Sequence, residues 1–112
     1  SDFDLVIELH FNSFSNPSAN GCETLFYYKS AAGKLAAEKF SQKVNECTGI
    51  PLRNNGLKPL TKGDRGFASV YYTKSPTILI EPFFGSNEED CKMIGSVENM
   101  AQIITDFLNL LS

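Results

Sequence analysis

Histidine occurs once in this 112-residue chain, at position 10, two residues after Glu8. Side chains two apart on a strand share a face, so within the segment DLVIELHFN (4–12) Glu8 and His10 project together. A second titratable group ends another apolar run. Thr77 to Ile80 leads straight into Glu81 and the loop Pro82-Phe83-Phe84-Gly85-Ser86-Asn87. An imidazole and a carboxylate at the ends of two hydrophobic strands suggest one site, because open α/β sheets gather their chemistry at the carboxyl ends of strands. Each residue also has a plainer reading. His10 alone is as readily a core histidine bonded to a backbone carbonyl, and Glu81 a strand-end carboxylate paired with a cation such as Arg65.

The elements that must position these groups follow from periodicity. Leu5, Val6 and Ile7 form the near-continuous apolar run of a strand buried on both faces. Ser13 to Gly21 is a polar loop, and Glu23 to Tyr28 is aromatic and β-branched enough for a second strand. Ser30 is placed to cap a helix running to about Thr48, with Gly49 as its stop. Its apolar stripe is Ala32, Ala36, Phe40, Val44 and Cys47. Ile50 to Asp64, with Pro51 and Gly56, reads as a long and functional loop. Gly66 to Tyr72 reads as a strand, followed by the Lys74-Ser75-Pro76 turn and the strand 77 to 81.

Two helices close the chain. Ser86 to Glu89 forms a capping-box pattern for a short helix that Gly95 ends, and Ser96 starts the last one. In that last helix Val97, Met100, Ala101, Ile104, Phe107, Leu108 and Leu111 recur at helical spacing as a core-facing stripe. Strands alternating with helices predict an α/β fold: one domain, a mostly parallel twisted sheet and helices on both faces.

Composition narrows the partners. A net charge of −3 argues against nucleic acid, whose binding rests on clustered Lys and Arg. No membrane span is expected, since the last helix has only about 16 residues and carries Glu98 and Asp106. No signal peptide is recognised at the start of the chain. Cys22, Cys47 and Cys91 are odd in number and lack metal-like spacing, so buried free thiols are expected over a disulfide.

Four ordered blocks carry a resemblance: LHFN at 9–12, GCETLFYY at 21–28, RNNGLK at 53–58 and PTILIEPFFGSNEED at 76–90. Together they resemble the zinc-dependent N-acetylmuramoyl-L-alanine amidases, which cut the bond between the lactyl group of muramic acid and the first alanine of the peptidoglycan stem. The resemblance implies that His10 is a zinc ligand and Glu81 the general base. It makes Asn12 and Glu23 candidates for orienting or binding substrate, with peptidoglycan as the partner and the bacterial cell wall as the place of action.

In the resemblance, zinc lowers the pKa of a bound water to about 7. The chain departs from the family pattern where a Gly-His-Gly strand end and a helical glutamate normally supply the first two zinc ligands. It is therefore expected to correspond to the C-terminal two thirds of such a domain, without the N-terminal strand and helix, and to bind Zn2+ weakly or not at all alone. Pro82 and Glu8 also stand where the family usually has small residues. Arg53, Lys58, Lys62 and Arg65 either meet stem-peptide carboxylates or form a solvated basic loop. The rival reading is a non-catalytic peptidoglycan-binding or regulatory remnant of the same fold; a metallopeptidase acting within the stem peptide shares the same chemistry.

Overall fold

Strands β1 (Val6–Leu9), β2 (Cys22–Tyr27), β3 (Leu52–Leu60) and β4 (Thr77–Glu81) form one sheet in the order β1-β4-β2-β3 in the computed structural model. The structure describes residues 5–11 and 15–111. β1 runs parallel to β4 and β2 parallel to β3, while β2 and β4 are antiparallel. The expected mostly parallel α/β sheet is thus present. Helices α1 (Ala31–Thr48), α2 (Phe67–Tyr71), α3 (Glu88–Ile94) and α4 (Val97–Leu110) complete the chain.

Most helix ends form where the sequence places them, and the start of α3 shifts by one residue. The Ser30 side chain accepts from Gly33 N at 2.9 Å and starts α1. Gly49, at φ 78°, ends it by donating its N–H to the Asn45 carbonyl. Asn87 rather than Ser86 caps α3, accepting from Asp90 N, and Ser96 caps α4. Alternation sorts the sheet into two faces. On one, Phe26, Ile78 and Ile80 meet α1 and α4, and Phe40 packs edge-on against Phe107 at 5.2 Å. On the other, the short α2 lays Val70 over Leu25, Leu60 and Leu79.

Four expectations are corrected. Residues 52–60, expected within a loop, form β3; this is an edge strand, and an edge tolerates the Asn, Gly and Pro that a central strand excludes. Gly66 to Tyr72, expected as a strand, contains α2 instead. Phe67, Val70 and Tyr71 stand at i, i+3 and i+4, a helical spacing hidden by their strand-favouring types. β1 is half-buried rather than buried on both faces, because among the described residues β4 is its one neighbour. Of the three free thiols, Cys22 is buried but Cys47 and Cys91 are exposed. Burial pushes the Cys22 thiol up to about 12.

The helix stripes also shift. α1 buries Gly33, Ala36, Ala37, Phe40, Ser41 and Val44, leaving Ala32 and Cys47 outside. α4 buries Met100, Ile103 and Phe107, while Val97 is 82% exposed and Leu108 and Leu111 are also exposed. The uncovered part of that stripe lines an apolar hollow of about 400 Å³ with Leu9, Phe11 and Phe83, beside the outer edge of β1.

Candidate active site

Parallel pairing of β1 with β4 sets Leu9 beside Ile80, and the His10 N–H donates to the Ile80 carbonyl at 2.9 Å. His10 and Glu81 therefore leave adjacent strands at the same end of the sheet. They line one pocket of about 200 Å³ with Glu8, Arg65, Ser69 and Leu79. On the other side of β4, Glu23 of β2 is the register partner of Glu81. Residues directly opposite on antiparallel strands project from the same face with Cβ atoms about 5 Å apart. Glu8, His10, Glu23 and Glu81 thus come to one end of one face. Asn12 lies outside the described residues.

The two glutamates on β2 and β4 are buried, Glu23 at 5% exposure and Glu81 at 3%. Burial is the main cause that holds the Glu81 carboxyl above its ordinary value, and the neighbouring Glu23 pushes the same way. Arg65 opposes both. Its Nη2 lies 3.6 Å from Glu81 Oε2, yet the guanidinium side chain is 85% exposed, so water screens the pairing. The expected Arg65–Glu81 contact is thus real, and it does not cancel the desolvation. Glu8 Oε1 sits 2.6 Å from His10 Nε2 in a half-exposed pair. The carboxylate that interrupts the apolar run of β1 is therefore bonded directly to the imidazole.

Two residues that position the site escaped sequence reasoning. Asn54 Nδ2 donates to Glu23 Oε2 at 2.9 Å. It does so from a bulge in which Asn54 (φ 53°), Asn55 (φ 61°) and Gly56 (φ 79°) are all left-handed. Gly56 is required there twice over, since a Cβ would also stand 2.5 Å from Ser41 Cβ. Ser41 closes the same corner, donating to the Gly56 carbonyl at 2.7 Å and sharing a 2.8 Å bond with Thr24. The signal was the Asn-Asn-Gly triplet, whose residues are the ones that tolerate positive φ.

The second is Asp90, at 1% exposure. Its Oδ2 accepts from Gly21 N at 2.9 Å and from Phe84 N at 3.0 Å. It ties the residue before β2 to the loop after β4, and so holds the Glu23 and Glu81 ends of the two strands together. In the sequence it is one of three acidic residues in the first turn of α3, with nothing to separate its role from theirs. Arg53 adds a further brace, with its guanidinium 5.0 Å from the Phe84 ring.

A carboxylate of raised proton affinity beside an imidazole can take a proton from water and return it to a leaving group. Among the described residues, no three His, Cys, Asp or Glu side chains come together to hold a metal ion. His10 has the chemistry of a zinc donor.

The chain is similar over most of its length to known amidases. It is 29% identical over 108 residues to the N-acetylmuramoyl-L-alanine amidase LytC of Bacillus subtilis (strain 168), covering 92% of this chain and 20% of that protein. Its fold superimposes on the catalytic domain of the CD27L endolysin targeting Clostridia difficile with a TM-score of 0.73 at 31% identity, covering 96% of this chain and 56% of that one. The amidase AmiC2 of Nostoc punctiforme gives a TM-score of 0.75 at 25% identity, covering 96% of this chain and 58% of that one. The chain thus spans a fifth of LytC and a little over half of each structure. The family model described as N-acetylmuramoyl-L-alanine amidase matches residues 1–111, and the chain belongs to that family.

Proposed function

We propose that this chain forms the larger part of a peptidoglycan amidase domain that hydrolyses the amide between N-acetylmuramic acid and L-alanine. The observation that carries the reading is the meeting of His10 and Glu81 in one pocket at the ends of parallel neighbours, with Glu23 directly beside Glu81. Family membership supplies the substrate class.

Glu81 is the general base in this reading. It takes a proton from the attacking water as oxygen bonds to the amide carbon, and passes that proton to the alanine nitrogen as the C–N bond breaks. Its burial raises its proton affinity toward the working pH, which is the direction a base for this step needs. Such a base contributes about 10²–10⁴ in rate. Glu23 sets the field at Glu81 and presents a carboxylate to the substrate. The family resemblance makes Asn12 a candidate for orienting substrate. Exposed Arg65, free to swing from Glu81, meets a stem-peptide carboxylate.

The family resemblance brings Zn2+ to His10. In this reading the complete site takes further ligands from polypeptide outside the described residues. The apolar hollow beside α4 and the outer edge of β1 support this part of the reading. A strand added to that edge would end next to His10, and a helix would cover Val97 and Ile104. The domain acts at the bacterial cell wall. The reading is tested by following new alanine amino termini as protein with this chain in its complete domain digests purified peptidoglycan. Wall binding without such amines would favour a non-catalytic module.

A further inference from the structure

Five aromatic rings gather on the face that carries Glu23 and Glu81, at the opposite end of β2. Tyr27 touches Tyr28 at 5.3 Å and Tyr71 at 5.2 Å, and Phe67 stacks on Tyr71 at 4.9 Å with 18° between planes. Tyr72 stands edge-on to Tyr71 at 4.7 Å. Tyr28 is 48% exposed, Tyr71 45% and Tyr72 76%. With Thr61 and Lys62 they surround an open hollow of about 480 Å³, within the roughly 300–1,000 Å³ range of small-ligand sites. Lys29 Nζ lies 5.5 Å from the Tyr28 ring centre.

The rings of a packing core would be hidden, whereas here the outer three are between 45% and 76% exposed and each carries a hydroxyl. A surface that offers a flat apolar ring with a hydrogen-bonding tip matches a sugar, which has a C–H face and a rim of hydroxyls. The two lysines add positive charge suited to carboxylates carried by the same polymer.

Position argues for the same occupant. Glu23, Leu25 and Tyr27 alternate onto one face of β2. Four residues of strand at about 3.3 Å each put Tyr27 roughly 13 Å from Glu23. Between them α2 covers Leu25, so a polymeric substrate with one sugar at the carboxylates continues over α2, which itself carries Tyr71, to reach the tyrosines.

We propose that Tyr28, Tyr71 and Tyr72 form a glycan subsite that stacks N-acetylated sugar rings of the peptidoglycan strand flanking the sugar whose amide is cut. The subsite rests on the peptidoglycan reading above, and binding and cleavage are separable by experiment. The hollow at the tyrosines shares no lining residue with the pocket that holds Glu81, so glycan binding there is measured apart from the carboxylates.

The test is co-sedimentation of the protein, in its complete domain, with purified glycan strands from which the stem peptides have been removed. Tyr72→Ala alters a side chain held mainly by one neighbour, so it should fold, and it is expected to weaken glycan binding about fivefold. Tyr72→Trp should restore binding, and Glu81→Gln should leave it unchanged. Alanine-amine release from intact peptidoglycan is measured in parallel. Parent protein that binds stripped glycan through the tyrosines yet releases no amine sustains the subsite and removes the amidase reading. Parent protein that releases amine while stripped glycan fails to bind, or binds equally well to Tyr72→Ala, overturns the subsite alone. A Tyr72→Ala change that converts a dimer to a monomer with glycan binding intact also overturns it, and assigns the rings to a contact between copies.

Discussion

Glu23 and Glu81 are register partners across the antiparallel β2–β4 pair, and both carboxylates are buried. Like charges directly opposite on a sheet oppose folding unless something compensates. Here Asn54 bonds one and Arg65 pairs loosely with the other. The pair is a cost the fold carries, and its position at the mouth of a pocket beside His10 is the reason to assign it chemistry rather than packing.

That cost has a pH signature. The Glu81 carboxyl is raised above its ordinary value of 4.5 in the folded chain, chiefly by burial. The folded state then holds the proton more tightly than the unfolded state. Its contribution favours folding fully below the ordinary value and is lost as pH rises through the raised folded value. Thermal unfolding of parent and Glu81→Gln in chelator-treated buffer should differ little at pH 4. At pH 8 the Gln protein should be the more stable. Equal differences at both pH values would mean that burial does not disfavour the Glu81 charge.

Asn54 allows a test of what holds Glu23. Asn54→Gly removes the 2.9 Å bond to the carboxylate and keeps a backbone suited to φ 53°. Asn54→Ala removes the bond and adds left-handed strain of roughly 1–2 kcal/mol. Chemical denaturation should rank the proteins parent, then Gly, then Ala, with both variants showing reduced amine release. An Asn54→Gly protein with parent turnover would leave the bond to Glu23 without a part in the reaction.

Asp90 should be costly to replace. Asp90→Ala strips both the Gly21 and Phe84 N–H groups of a buried, charge-assisted partner. The expected loss is about 2–4 kcal/mol, read as a lower midpoint in urea. Asp90→Asn keeps an acceptor and should recover part of it. A loss below about 0.5 kcal/mol in the Ala protein would show that other contacts hold the two strand ends.

The ends of this fold's elements were more legible than its edges. Ser30, Gly49, Gly95 and Ser96 sit at helix boundaries because capping needs their particular side chains or backbone freedom, and the cap expected at Ser86 falls one residue later at Asn87. β4 was clear from its apolar run, and every residue of it is buried. β3 was not, because an edge strand with a left-handed bulge selects the same Asn, Gly and Pro that mark loops. α2 is five residues long, too short for periodicity to outweigh its Phe, Val and Tyr content. For the candidate site, strand alternation was enough to bring Glu8 to His10. Asn54 lies 31 residues from Glu23 and Asp90 lies 69 residues from Gly21, separations that no local pattern spans.

The central claim is that Glu81 moves the proton. Its most direct test is the turnover of Glu81→Gln, in the complete domain, on purified peptidoglycan, read as new alanine amino termini. Gln keeps the shape of the side chain and cannot accept the water's proton. The expected result is a fall in kcat of about 10²–10⁴ with KM and wall binding little changed. A Glu81→Gln protein that released alanine amines at the parent rate would contradict it.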